Sequence, residues 1–226
     1  MIVLVCLESP RPSQASLAAL RLACAMGERV QVIAVSASGK AQNESCELAR
    51  RTEGVGRVVQ IVDKALCEAD FLSVGRVLAE AARHLEASIV LVGEHSDDEG
   101  EGLVPAALAQ HWHAPLLACV REVHLPSEAE APWEIAVRAS GHLCQVRSST
   151  PLVLAVPPTF FAGSTPQATE AKQPVREFET LTLAQLGIDA SVLVPRPDLL
   201  GPLVTHVAER VESKSFDEAA HRILRR

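Results

Sequence analysis

Two loops of small residues are the parts of this sequence whose residue types are best suited to ligand binding. One is Ser36-Ala37-Ser38-Gly39, and the other runs from Gly93 to Gly102 and leads directly into a predicted helix. Small side chains let backbone N–H groups approach an anion, and a helix N-terminus adds about half a positive charge. These features predict a nucleotide site, although neither loop matches GxGxxG or the P-loop.

The second loop is also rich in carboxylates, at Asp97, Asp98, Glu99 and Glu101. Carboxylates repel a phosphate group unless they face solvent or bind ribose hydroxyls. Two interpretations therefore stay open: a nucleotide-binding loop, or an exposed acidic turn that only caps a helix. Asp97 and Asp98 could also ligate Mg²⁺, but no further set of ligands is evident beside them.

Histidine and cysteine do not form a recognisable catalytic or metal site. His111-Trp112-His113 ends a predicted helix, where residues two apart point to different faces. The six cysteines, at 6, 24, 46, 67, 119 and 144, are widely spaced and contain no CxxC. Core thiols in a reducing compartment explain them better than disulfides or zinc. No nucleophile elbow or catalytic triad is evident.

An alternation of strands and helices in the first 120 residues must position the two loops. Five apolar runs predict strands that are buried on both faces. These runs are Ile2–Leu7, Val30–Val35, Val58–Val62, Ser88–Val92 and Leu116–Val120. Helices are predicted to begin near Ser13, to cover Lys40–Arg51, to follow Asp70 as N-cap, and to cover Val104–His113. This order predicts an α/β fold with a mostly parallel, doubly wound, Rossmann-like sheet.

Beyond Val123 the pattern changes. Period-two alternation over Glu134–Arg138 and Leu143–Arg147 predicts a hairpin, and Pro151–Val156 predicts another buried strand. Residues 157–175 contain several prolines and no periodicity, which predicts an extended arm. Leu181–Leu186, followed by Gly187, predicts a short helical turn, and Ser215 with Glu218 forms a capping box that predicts a terminal helix. We therefore expect a nucleotide-binding-like domain over 1–156 and an arm with short terminal helices over 157–226.

Charge and hydropathy exclude several classes of partner. The formal net charge of −7 disfavours nucleic acid and anionic membranes. No apolar run reaches the roughly 18–20 residues of a membrane span, and the first residues do not have the pattern of a signal peptide. The expected location is the cytoplasm.

The order of segments resembles the β subunit of electron transfer flavoprotein over most of the chain. The resemblance begins with the strand at Met1–Cys6, the loop at Val35–Gly39, and the strand with its acidic glycine loop at Ser88–Gly102. The hairpin at 134–147 and the strand at 151–156 follow in the family's order. The most specific match is the stretch from Glu179 to Asp189, which resembles the end of the family's long arm.

The resemblance implies a heterodimer with a larger α subunit that carries most contacts to FAD. Such a pair takes electrons from a flavin dehydrogenase to an acceptor, and this chain would catalyse no bond chemistry by itself. It would also hold a structural AMP. The resemblance and the positions of the loops place this site at Cys6, Ser36, Ser38, Gly39, His95, Asp97, Asp98, Gly100 and Gly102. The arm would wrap the partner and bury Phe160, Phe161 and Phe178.

A second interpretation is a stand-alone regulatory module similar to universal stress proteins. Such a module would form a homodimer and bind ATP or AMP through Ser38, Gly39, Gly93 and Gly102. The segment at 157–190 disfavours this interpretation, because such modules usually end after their fifth strand.

Overall fold

Ten strands and four α-helices form the structure, a computed structural model that describes residues 1–95, 102–126, 128, 131–160 and 178–193. The strands are β1 (Ile2–Cys6), β2 (Gln31–Ser38), β3 (Val55–Val62), β4 (Ile89–Gly93), β5 (Leu116–Leu117), β6 (Val120–His124), β7 (Trp133–Ala139), β8 (His142–Ser148), β9 (Leu152–Val156) and β10 (Phe178–Leu181). The α-helices are α1 (Gln14–Ala25), α2 (Glu44–Arg50), α3 (Phe71–His84) and α4 (Leu103–Trp112). Short 3-10 turns cover Gly27–Arg29, Lys64–Cys67, Ala184–Leu186 and Ala190–Val192.

Seven of the strands form one parallel sheet in the order β10-β3-β2-β1-β4-β9-β5. β1, β4 and β9 contain no charged or hydrogen-bonding polar side chains, because both faces of the sheet are covered. Val3 and Val5 point to a cluster formed with α1, α2 and the small antiparallel sheet. Leu4 and Cys6 point to the opposite cluster, formed with α3 and α4. The predicted doubly wound α/β fold is therefore confirmed.

Side-chain caps explain where the helices begin. The Ser13 hydroxyl accepts from the Ser16 N–H before α1, and the Asp70 carboxylate accepts from the Ser73 N–H before α3. These two beginnings confirm the predictions. The prediction that α2 starts at Lys40 is wrong, because Asn43 caps the helix and fixes its start at Glu44.

The predicted single strand Leu116–Val120 is also wrong. Leu116 and Leu117 pair in parallel with β9, whereas Val120 begins β6 and pairs antiparallel with β7. Cys119 lies between them with a φ of 53°, in the left-handed region. That backbone conformation turns the chain out of the large sheet and into the small one, so Cys119 is not a strand residue.

The small sheet has the order β6-β7-β8 and contains the predicted hairpin. Its two-residue turn is formed by Ser140 and Gly141, which have φ angles of 48° and 84°. Two positive φ angles are typical of the turn whose twist matches the flanking strands. The buried face of β7, which includes Trp133 and Ile135, closes the first cluster.

Residues 178–193 pack against the edge of the large sheet. β10 pairs in parallel with β3, and Leu181, Leu183, Leu186 and Ile188 join the second cluster. The short helical turn predicted from Leu181 starts later, at Ala184, because Leu181 ends the strand. Most of the predicted arm and the terminal helix predicted from Ser215 lie outside the described residues, so the boundary at 156 stays a prediction.

In the described residues no helix combines the length and the apolar character that crossing a bilayer requires.

Candidate functional site

The order of strands reverses beside β1, which lies between β2 and β4. The connections that leave β1 and β4 run to opposite faces of such a sheet and leave a crevice at the carboxyl ends of the strands. A cleft of about 510 Å³ lies at this position. The ends of β1, β2 and β4, the turn at Lys64–Cys67 and the first turns of α1, α3 and α4 contribute to its lining.

The structure brings several of the predicted site residues together in this cleft. Cys6, Ser38, Gly39 and Gly102 all line it, and so does Gly93 of the alternative interpretation. They come from β1, the end of β2, the end of β4 and the start of α4, so distant segments of the sequence converge there.

The other predicted site residues have different positions. Ser36 is fully buried and is not among the lining residues of the cleft. Its hydroxyl accepts a hydrogen bond from the Asn43 side-chain amide at 2.9 Å. His95 is exposed and is not among the described lining residues. Asp97, Asp98 and Gly100 lie outside the described residues.

Glycine is required at two places around the cleft because the chain comes very close to itself. A Cβ atom on Gly39 would lie 2.2 Å from the Cys67 sulfur and 2.7 Å from the Cys67 backbone nitrogen. Gly102 has a φ of 60°, and a Cβ atom there would lie 2.6 Å from the Glu94 carbonyl oxygen. Because glycine has no Cβ, the loop after β2 can approach the Lys64–Cys67 turn, and the beginning of α4 can approach the residues after β4.

One side of the cleft is apolar. The side chains that form this apolar side come from the Lys64–Cys67 turn, α3 and α4, and they are Leu66, Phe71, Val74, Leu78, Leu103 and Val104. Phe71 and Leu103 are the more exposed of these. Such an apolar wall can bind a flat aromatic ring, because contact between the ring and the wall removes apolar area of both from water.

Two buried hydroxyls line the polar side. Ser16 is 1% exposed, and its hydroxyl oxygen lies 3.1 Å from the Ser13 hydroxyl oxygen. Ser38 is 7% exposed, and its hydroxyl accepts from the Lys40 backbone N–H at 3.1 Å. The Ser38 hydroxyl also carries a proton that it can donate to a ligand, whereas the Ser16 proton is directed at the Ser13 oxygen, because the Ser13 proton goes to Glu8.

The charged groups of the cleft differ in depth. Glu8 and Glu94 are half-buried, whereas Lys40 and Glu68 are exposed at the rim. The described lining thus has two carboxylates in its interior and its cation outside. Burial leaves charges less screened, so the inner carboxylates dominate the potential felt by a ligand.

Hydrogen bonds hold both inner carboxylates in place. The Ser13 hydroxyl donates to the Glu8 carboxylate at 2.9 Å, and the Cys119 thiol donates to the Glu94 carboxylate at 2.9 Å. The bond to Glu94, together with burial, raises the pKa of the Cys119 thiol. Cys119 is therefore a neutral thiol at neutral pH and acts as the donor of this hydrogen bond.

Sequence reasoning missed Glu8, Ser16, Lys40 and Glu94 as site residues. Glu8 and Glu94 come directly after β1 and β4, and this position was the available signal because parallel strands end at a common edge. The signal for Ser16 was weaker. It depends on the N-terminus of α1 lying beside Gly93, which no local pattern shows.

The six cysteines are all free thiols. Cys6 and Cys46 are buried, as the sequence predicts, while Cys67 is exposed at the cleft. Burial raises the pKa of Cys46 to about 12 and that of Cys6 further. Within the described ranges, no group of three or more His, Cys, Asp or Glu side chains could hold a metal ion.

Comparison with known proteins adds a family to this geometry. Residues 3–183 match the family model of the electron transfer flavoprotein domain. No curated protein matches the chain. The match covers the parallel sheet, the cleft at its switch point, the antiparallel sheet and β10. The chain therefore belongs to the electron transfer flavoprotein domain family.

Proposed function

We propose that this chain is the β-like subunit of a heterodimeric electron transfer flavoprotein. It packs against an FAD-bearing α subunit, and the pair carries electrons from a flavin dehydrogenase to an acceptor. The observation that carries the proposal is the family match over residues 3–183. The order of the segments resembles that of the β subunit, and this resemblance supports the assignment to that subunit within the family.

The stretch that most resembles the β subunit supports this assignment. Residues 179–189 include the end of β10 and the Ala184–Leu186 turn, which Gly187 terminates in the left-handed conformation with a φ of 71°. Glu179 forms an ion pair with Arg57, which fastens the stretch to β3. The stretch is thus an ordered part of the fold that packs against the edge of the large sheet.

FAD supplies the redox chemistry when it is bound, since a flavin accepts electrons from one partner and gives them to another. Most of the contacts to FAD belong to the α subunit in this proposal. This chain contributes one wall that excludes water from the flavin, together with the partial charges of its helix ends. The chain itself transfers no chemical group, in keeping with a family of electron carriers.

The decisive experiment is co-expression of this chain with an FAD-bearing α-type protein from the same organism. We expect a yellow complex that contains one copy of each chain and one FAD, and whose flavin is reduced by a flavin dehydrogenase and its substrate. A colourless, monomeric chain in the presence of the partner contradicts the proposal. So does a homodimer of this chain that binds ATP tightly in calorimetry, as the regulatory-module interpretation requires.

A further inference from the structure

We draw no further inference here: the strongest candidate, the outer edge of β8 in the small antiparallel sheet, beside which Leu143 is 59% exposed, carries none, because nothing in the described part of the chain shows what covers it.

Discussion

Asn43 connects three parts of the candidate site. Its side-chain oxygen accepts from the N–H groups of Ser45 and Cys46 at the start of α2. Its amide nitrogen donates to the hydroxyl of Ser36 in β2 at 2.9 Å, and lies 3.5 Å from the hydroxyl of Ser9 in the loop after β1. One buried side chain therefore caps a helix and connects β2 to the loop after β1.

We expect Asn43→Ala to lower the free energy of unfolding by about 2 kcal/mol, because it removes a helix cap and a buried hydrogen bond worth about 1 kcal/mol each. Asn43→Ser is the control, since serine keeps a cap but cannot reach Ser36, and about half of the loss should remain. Urea denaturation followed by circular dichroism measures both variants. An alanine variant as stable as the parent chain would show that the loops are held by other contacts.

The thiols should differ strongly in their reactivity at pH 8. Burial raises the pKa of Cys24 to about 11 and that of Cys46 to about 12. A raised thiol pKa means less thiolate, so reactivity is suppressed at pH 8 and increases only as the pH rises towards these values. Cys67 is exposed. With Ellman's reagent we expect one fast phase from Cys67 and much slower phases from the buried thiols.

Cys67→Ser should abolish the fast phase, and unfolding in guanidinium should make all of the remaining thiols react quickly. Fast labelling of Cys46 in the folded chain at pH 8 would contradict the burial of α2 against the sheet.

At the scale of elements, β10 shows which kind of contact holds an edge strand. Arg57 pairs with Glu179, and the Arg50 guanidinium lies 5.2 Å from the centre of the Phe178 ring. Both are polar contacts at a partly exposed surface. Leu181, in contrast, is 2% exposed and belongs to the second cluster. Burial of Leu181 should therefore contribute more to the free energy of unfolding than the Arg57–Glu179 ion pair or the contact between Arg50 and the Phe178 ring.

This comparison predicts that Leu181→Ala lowers the free energy of unfolding by about 2–4 kcal/mol. Glu179→Gln should cost less than about 1 kcal/mol, because the pair is partly screened by solvent. Chemical denaturation of the two variants under the same conditions measures the difference. If Glu179→Gln costs as much as Leu181→Ala, the ion pair and not apolar burial fastens β10.

Phe178 bears on how a partner would use this edge. It is 39% exposed, with Arg50 against its ring, and Phe160 is partly buried against the first cluster. Phe161 lies outside the described residues. Three phenylalanines were expected to be buried by a partner, and Phe178 is the more exposed of the two that the structure describes.

At the scale of the whole molecule, the described residues up to Leu193 fill both faces of the parallel sheet. We expect a chain that ends after residue 193 to unfold cooperatively, with a midpoint within a few degrees of that of the full chain. The same truncation should prevent recovery of the yellow heterodimer, because the resemblance implies that the arm over 157–226 wraps the partner and the truncation removes its last part. Differential scanning calorimetry and co-purification with the α-type protein measure the two properties.

A truncated chain that still recovers the partner and FAD at full yield would show that residues 194–226 are not needed for assembly. Loss of the cooperative transition would show that those residues complete the core.

Local patterns in the sequence determined the parallel α/β fold, the helix caps at Ser13 and Asp70, and the hairpin at Ser140-Gly141. These features depend on the apolar period of each segment and on turn chemistry within a few residues, so they can be read from the chain itself. The expectation of a site at the carboxyl ends of the strands also follows from this level. The order of the strands, which puts the reversal beside β1, came only from the tertiary structure.

Only the tertiary structure decided which residues meet in that cleft. Glu94 receives its hydrogen bond from Cys119, 25 residues later, and Glu179 reaches Arg57 across 122 residues. The left-handed conformation at Cys119 separates β5 from β6, although the residues between Leu116 and Val120 form one apolar run. Such features arise from contacts between distant segments, where the packing of the whole sheet outweighs local preference.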